Sequence, residues 1–313
     1  MFLDTPDITP YRAGTDGLAY VHTFHSGRPG PHVCINALTH GNEICGAWAV
    51  AALLDEGVRP TAGTLSLSFA NVEAFSRFDR NNPEATRWVD EDMNRVWDEA
   101  TLDGPRQSQE LARAREMRAF FDTVDFLLDL HSMHTPGPAL GLCGATAGGL
   151  DFARRLGVPE YLVIDAGHSA GKRLRDYAGF GDEGNPRQAL LVECGFHFEH
   201  AAVVMAHRAS RRFLDATGAC PGLCADAPFP DVKAVRIVDA VTIRHPEFLF
   251  TRDWESMDSV PHAGTVIAYD GDTPVTTPCD DCVLVMPAPE RYRLPGMTAV
   301  RLGRREHGDG ASA

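Results

Sequence analysis

The sequence contains no apolar run of the roughly 20 residues that a membrane-spanning helix requires. Its N-terminus lacks both the basic and the apolar region of a secretory signal peptide, so we expect a cytoplasmic protein. Basic residues are fewer than acidic ones: the sequence has 29 Lys and Arg and 43 Asp and Glu, which gives a net charge of −14. This charge argues against nucleic-acid and membrane partners but not against anionic small molecules, since a few buried arginines set the local field of a cleft.

The eight cysteines are compatible with the cytoplasm if they are free thiols. Four lie in apolar or glycine-rich segments and are expected to be small buried residues: Cys34, Cys45, Cys143 and Cys194. The spacing of two further pairs, Cys220/Cys224 and Cys279/Cys282, would also suit a structural zinc site. Both pairs lie in Pro-, Gly- and Asp-rich loops without knuckle-like glycines, which favours unlinked thiols.

Apolar runs alternate with segments of helical composition over the first two thirds of the chain. Strands are predicted at residues 33–38, 64–70, 126–130, 161–164 and 189–193, and helices at 47–54, 109–122, 149–156 and 200–216. This alternation predicts an α/β fold, a mixed but mostly parallel sheet with helices on both faces. Ligands of such sheets bind at the carboxyl ends of the strands.

The pattern changes near residue 220, where Pro, Gly and Asp turns begin to separate short apolar runs. We predict a catalytic α/β domain over residues 1–228 and a small β-rich domain over 229–303 that caps the site. Residues 304–313 are expected to form a polar tail.

Two histidines and one glutamate suggest a metal site. His40 and Glu43 are three positions apart in a strand-to-helix connection, and Gly41 permits a tight backbone path between them. His131 would reach the same point from a neighbouring strand. Three such ligands suit a catalytic zinc ion with one open coordination position. The alternative is a helix cap around Asn42 and Glu43 with hydrogen-bonded histidines, but the second strand-end motif, DLH at 129–131, favours the metal.

A cluster of arginines follows at residues 86–95 (TRWVDEDMNR). Asn94 and Arg95 offer donors suited to a carboxylate or a polarised carbonyl oxygen. Arg87 would bind a second anionic group, whereas Asp92 is expected to orient Arg95. A solvated loop of mixed charge is the alternative.

Glu193 comes directly after four apolar residues, where a buried carboxylate is costly unless it is paired or functional. Next to a zinc ion it would act as the general base, accepting a proton from water and passing it to the leaving nitrogen. The alternative is an ion pair with Arg175 or Arg187.

The motifs HGNE at 40–43, TR…DMNR at 86–95, DLH at 129–131 and VECG at 192–195 resemble the succinylglutamate desuccinylase/aspartoacylase family in order and content. The resemblance implies a zinc carboxypeptidase-like fold, one Zn²⁺ per chain held by His40, Glu43 and His131, and Glu193 as base. It also implies that Asn94, Arg95 and the upstream Arg87 bind the substrate carboxylate and polarise the scissile carbonyl.

The sequence departs from the family pattern at three places. Met93 replaces the usual leucine, a volume-conserving change that we expect to be harmless. Residues 75–82 are longer than in aspartoacylase, and extra glycine-rich sequence separates Arg175 from Glu193; these loop departures are where specificity would change. We include Arg175 as a further substrate residue. Three histidines near the motifs are expected to support the site or the core rather than to bind the metal: His134, His168 and His197.

These observations predict a zinc-dependent hydrolase that cleaves the linear amide of a small N-acyl amino acid. Arg87 or Arg95 would stabilise the oxyanion. A zinc carboxypeptidase acting on short peptides is the alternative enzyme, and a metal- or sugar-binding module without catalysis is the alternative outside enzymes. The sequence identifies neither the acyl group nor the amino acid, and it leaves open whether the chain forms a homo-oligomer.

Overall fold

The computed structural model describes residues 3–167, 170–224 and 231–306. Its strands are β1 Val21–His25, β2 His32–Ala37, β3 Thr64–Phe69, β4 Phe126–Met133, β5 Leu140–Leu142, β6 Tyr161–Ile164, β7 Gln188–Phe196, β8 Lys233–Thr242, β9 Phe248–Phe250, β10 Ser259–Val260, β11 Val266–Asp270, β12 Thr273–Thr276, β13 Cys282–Val285 and β14 Thr298–Arg305. Its helices are α1 Ile44–Asp55, α2 Val72–Ser76, α3 Glu99–Asp103, α4 Gln109–Phe121, α5 Ala147–Leu156 and α6 His200–Ala216.

An eleven-stranded mixed sheet in the order β1-β3-β2-β4-β7-β5-β6-β8-β14-β13-β10 forms the centre of the molecule. The neighbours β3, β2, β4 and β7 run parallel, and β5 and β6 are also parallel to each other. The edge strand β1 and the β5–β7 pair are antiparallel. The predicted α/β class with a mostly parallel sheet and a C-terminal β-rich region is therefore confirmed.

The C-terminal strands continue this sheet and do not start a separate one. Strand β8 pairs in parallel with β6, and β14 and β13 follow it in antiparallel pairs. A second sheet of three strands, β12-β11-β9, lies beyond them. The predicted boundary at 228/229 falls outside the described residues, as does His168, and Arg304 and Arg305 of the expected tail belong to β14.

The central strands are buried along most of their length, and are mainly apolar, because helices cover both faces of the sheet. In β2, successive residues face opposite sides: Ile35 joins the core beneath α1 and α6, whereas Cys34 joins the core beneath α4. Both residues are fully buried. Burial on both faces explains why these strands appear in the sequence as continuous apolar runs, and it leaves the carboxyl edge of the sheet as the place where polar groups gather.

All eight cysteines are free thiols, as the sequence analysis expected. Cys279 and Cys282 are buried in the C-terminal core together with Leu284 and Leu302. Among the described residues, none of the helices is both long and apolar enough to cross a membrane.

Candidate active site

The predicted ligands meet at the carboxyl edge of three neighbouring parallel strands. His40 follows β2 by three residues, and His131 and Glu193 lie near the ends of β4 and β7. His131 and Glu193 are direct register partners, so their side chains leave the sheet side by side. The expectation that the strand ends would bring these residues together is correct.

The carboxylate of Glu43 lies between the two imidazoles. Its Oε1 is 2.7 Å from Nδ1 of His40, and its Oε2 is 2.8 Å from Nδ1 of His131. The three side chains are at most 2% exposed, and their ligand atoms lie within 4.8 Å of one another. Glu43 is the residue that precedes α1, yet its side chain makes no capping hydrogen bond. The helix-cap alternative is therefore wrong, since both carboxylate oxygens are engaged by the histidines.

The outward-facing nitrogen of each imidazole is also held by a carboxylate. Nε2 of His40 is 2.9 Å from Oδ1 of Asp92, and Nε2 of His131 is 2.8 Å from Oδ2 of Asp129. Metal-ligating histidines are typically anchored in this way through the ring nitrogen that does not bind the ion. With two imidazole nitrogens and one carboxylate converging, this donor set fits zinc.

Asp92 differs from its expected role of orienting Arg95. Its carboxylate contacts His40, lies 3.7 Å from Nη2 of Arg87 and accepts the backbone N–H of Asn94. Within the described residues, Arg95 forms no ion pair with it at 4.0 Å or less. Asp92 therefore positions a ligand histidine and the start of the 3-10 turn that carries Asn94.

The charges of the ligand set are strongly interdependent. Burial alone would raise the pKa of Glu43, but the adjacent His40 and His131 hold that pKa well below its usual value. Burial alone would lower the pKa of His131, but Asp129 and Glu43 outweigh it and raise that pKa well above the usual value. This buried cluster thus stabilises a carboxylate between two electropositive groups, and a cation would fill the same electrostatic role.

Glu193 lies beside this ligand set, and none of the described residues forms an ion pair with it. Its Oε2 atom is buried and has no hydrogen-bond partner among the described residues. Burial, with a further contribution from the nearby Glu43, raises the pKa of Glu193 to about 8. The alternative ion pairs are wrong, because Arg175 bonds to Asp176 and the guanidinium of Arg187 donates to backbone carbonyls. An unpaired carboxyl group that titrates near neutral pH is suited to general acid–base chemistry.

Arg87 reaches the ligand set from the neighbouring loop. Its Nη1 donates to Oε1 of Glu43 at 2.8 Å, and its Nη2 lies 3.0 Å from Nε2 of His40. The loops meet because Gly41 donates its N–H to the carbonyl of Arg87. A Cβ at Gly41 would stand 2.4 Å from the backbone oxygen of Thr86. Gly41 is therefore needed for close approach between two loops, in addition to the tight path that the sequence suggested.

A cavity of about 220 Å³ opens over these residues, and Asn94 and Arg95 line it as expected. Asn94 is fixed in place, because its Oδ1 accepts the backbone N–H of Leu174 at 2.9 Å. Arg95 donates Nη1 to the carbonyl of Asn94. Burial lowers the pKa of Arg95, and the nearby positive charges of Arg87, Arg173 and Arg301 lower it further. The carboxylate of Asp92 opposes this effect.

Arg175 does not line the cavity, contrary to its expected role. It is 1% exposed, its Nη1 donates to Asp176, and its Nη2 donates to the carbonyl of Ala189 in β7. Arg173, two residues earlier, lines the cavity in its place. Because of the 3-10 turn at Leu174–Asp176, the side chains of Arg173 and Arg175 point in different directions. The arginine that lines the cavity is therefore two positions before the one that we expected.

Arg301 is a cavity residue that the sequence analysis missed. It lies in β14, and its Nε is 3.3 Å from Oδ2 of Asp165, which also pairs with Arg173. Its flanking residues Val300 and Leu302 are buried and apolar. A lone arginine between two apolar core residues was a signal that could have marked this position.

A second cluster joins the C-terminal region to the catalytic edge. The Glu84 carboxylate is 3.0 Å from Nδ1 of His134 and 2.8 Å from Arg291, and it accepts the hydroxyl of Tyr292. His197 contacts the same His134 nitrogen at 3.1 Å. The structure thus places His134 and His197 outside the His40/Glu43/His131 set, in a group with Glu84 whose ligand atoms also lie within 4.8 Å of one another, so the expectation that they only support the site stays a prediction.

The fold and the site together define a class: α/β proteins with a His/Glu/His set that could hold a metal ion, and beside it a glutamate with a buried carboxylate oxygen, at the carboxyl edge of a mostly parallel sheet. Residues 29–181 match the family model of the succinylglutamate desuccinylase/aspartoacylase catalytic domain. Residues 29–181 of the chain are therefore similar to the catalytic domain of the succinylglutamate desuccinylase/aspartoacylase family.

Individual relatives agree with this similarity. The probable aspartoacylase of Parasynechococcus marenigrum (strain WH8102) is 36% identical over 138 residues, which are 40% of this chain and 43% of that protein. The match thus spans less than half of the relative's length. The solved succinylglutamate desuccinylases of Vibrio cholerae and Vibrio parahaemolyticus superimpose with TM-scores of 0.71 and 0.68. Each is 18% identical and aligns over 93% of this chain and 88% of its own, which shows a shared fold.

Proposed function

We propose that the protein is a zinc-dependent hydrolase that removes the acyl group from a small N-acyl amino acid by cleaving its linear amide bond. The observation that carries the proposal is Glu193, a half-buried residue beside the His/Glu/His set whose buried Oε2 atom has no hydrogen-bond partner among the described residues. A purely structural metal site has no use for such a group. The family match and the relative named as a probable aspartoacylase support the same reaction class.

His40, Glu43 and His131 would hold one zinc ion per chain. When bound, zinc supplies positive charge that polarises a carbonyl and lowers the pKa of water. Glu193 would accept the proton of the attacking water at its unpartnered oxygen and then deliver it to the departing amine nitrogen. Burial and the nearby Glu43 raise the pKa of Glu193, and a raised carboxyl pKa suits a group that first accepts a proton and then delivers it.

Arg87 would stabilise the negative charge that develops on the carbonyl oxygen, because its guanidinium already reaches the ligand set. Arg95 and Asn94 would bind the carboxylate of the amino acid. Asn94 is locked to Leu174, so this end of the cavity is organised before the substrate arrives. A cavity of about 220 Å³ is smaller than the roughly 300–1,000 Å³ typical of drug-sized ligand sites. This size favours a small amide over an oligopeptide.

The test is a steady-state assay of the zinc-loaded protein with acetyl-, formyl- and succinyl-amino acids, run beside short peptides. Glu193→Gln should keep its zinc and lose activity by about 10²- to 10⁴-fold, because only the proton transfer is removed. Glu199→Gln, at an exposed glutamate on the same stretch, is the matched control and should retain the wild-type rate. His131→Ala should lose stoichiometric zinc in elemental analysis.

A zinc-loaded Glu193→Gln variant that works at near-normal rate would overturn the assignment of the base. Faster turnover of short peptides than of N-acyl amino acids would instead identify a carboxypeptidase. Zinc binding without turnover of either substrate class would favour a non-catalytic metal-binding module.

A further inference from the structure

The cavity has an apolar wall that the proposed deacylase chemistry does not use. Met133, Leu142 and Leu191 line it, and they belong to one contiguous apolar cluster against which Met286 packs. The first three are 2–6% exposed. They come from neighbouring strands of the sheet, and Met286 from the end of β13, so both the catalytic and the C-terminal regions build this wall. Met297, which is 46% exposed, extends the lining.

Most cations of the cavity are already engaged by protein carboxylates. The Nε and Nη2 atoms of Arg173 donate to Asp176, and its Nη1 donates to Asp165. The Nε of Arg301 pairs with the same Asp165. Arg87 is bound to Glu43. These guanidinium groups balance acidic residues of the protein itself.

Arg95 is different. Within the described part of the chain, no carboxylate lies within 4.0 Å of its guanidinium, whose Nη1 donates to the carbonyl of Asn94. It is therefore the cavity arginine most available to a substrate anion. A first substrate carboxylate would pair with Arg95, whereas a second one would lose its hydration against the apolar wall or compete with Asp165 for arginines already in use.

We propose that the preferred substrates are N-acyl amino acids with a single carboxylate, an uncharged acyl group and an apolar side chain, such as N-acetylleucine and N-acetylmethionine. The inference rests on the proposed deacylase activity and adds the substrate class. Transfer of the apolar groups of the substrate from water to the wall of Met133, Leu142 and Leu191 is favourable. The single carboxylate of the substrate is then paired with Arg95.

The first experiment compares N-acetylleucine with N-acetylaspartate, which has a similar size but a second carboxylate. The zinc-loaded enzyme should prefer N-acetylleucine by about 10- to 100-fold in kcat/KM. Equal values, or a preference for N-acetylaspartate, would overturn the substrate class while leaving the deacylase activity intact.

A binding experiment keeps the two proposals separate. Calorimetric titration of the zinc-loaded Glu193→Gln variant with both compounds should show the same preference for N-acetylleucine in Kd, without any need for turnover. If the wild type hydrolyses neither compound but the variant binds N-acetylleucine preferentially, the proposed function fails and the substrate class stands. Tighter binding of N-acetylaspartate would refute the substrate class directly.

A variant links the preference to the wall. Met297→Arg adds a guanidinium to the lining at an exposed position, where it should not disturb folding. It should shift the ratio of kcat/KM values toward N-acetylaspartate by about tenfold. Leu249→Arg introduces the same charge at a residue that is 64% exposed in the small sheet and outside the lining, and it should leave the ratio unchanged. Equal ratios in the two variants would contradict the proposal.

Discussion

Glu110 in α4 is a fully buried glutamate that contacts the loop preceding the cavity residues Asn94 and Arg95. It accepts four hydrogen bonds: from Nδ2 of Asn71 at 3.0 Å and from the backbone N–H groups of Val89, Asp90 and Glu91 at 2.6, 3.0 and 3.2 Å. These three backbone donors precede the turn that carries Asn94 and Arg95. We therefore expect Glu110 to hold the substrate-binding loop in place from outside the cavity.

Glu110→Gln tests this role with almost no change in volume. The amide nitrogen would replace one carboxylate oxygen, which leaves two N–H donors in largely part-buried surroundings facing another donor. At the lower end of about 1–3 kcal/mol for each donor without a partner, the free energy of unfolding should fall by about 2–3 kcal/mol. Urea unfolding followed by fluorescence gives this quantity, and a KM that rises more than kcat falls would show that the loop positions substrate.

Glu116→Gln is the matched control on the same helix. Glu116 is 51% exposed in its side chain, and within the described part of the chain its ion pair is with Arg113 at 2.6 Å. Such a surface ion pair contributes less than about 1 kcal/mol. A Glu110→Gln variant as stable as this control would refute the reasoning, because the loop would then be held by contacts other than these hydrogen bonds.

Two further predictions concern how the loops and the C-terminal region are held to the site. Burial would raise the pKa of Glu84, but His134, Tyr292 and Arg291 outweigh it and lower that pKa to about 2. Glu84 thus stabilises the fold above its unfolded pKa of about 4.5, so Glu84→Gln should cost about 2–3 kcal/mol in urea unfolding at pH 7. This difference should shrink as the pH falls from about 4.5 toward 2, and a constant difference would contradict it. Gly41→Ala places a Cβ 2.4 Å from a backbone oxygen and should lower both Tm and zinc content, whereas Gly137→Ala, with its nearest neighbour at 3.5 Å, should change neither.

The parts of the fold that sequence patterns predicted are those governed by local rules. Strands such as β2 and β7 are buried on both faces, so their apolar runs are visible in the sequence. The ligands follow from the same rule, because His131 and Glu193 end such runs and parallel strands end at one edge. Strand β1 was missed, since its half-exposed residues form no continuous apolar run.

These local rules do not predict contacts between residues that are far apart in the sequence. Glu84 meets Tyr292 across 208 positions, and Arg301 reaches Asp165 only because β8 and β14 extend the sheet past β6. Sequence spacing gives no information on which strand pairs with which over such separations. The β-rich character of the C-terminal region was predictable from its composition, but the residues that contact the cavity were not.

Arg173 and Arg175 show where the limit lies within the site itself. In a strand, two residues separated by one position point to the same side. If this segment were a strand, both arginines would therefore face the cavity. The segment instead forms a 3-10 turn, where side chains advance by about a third of a turn per residue. Arg173 is thereby directed to Asp165 and the cavity, and Arg175 to the carbonyl of Ala189 beneath it. The candidate metal ligands on strand ends could thus be predicted from their spacing, whereas the cavity residues in irregular turns required the backbone path.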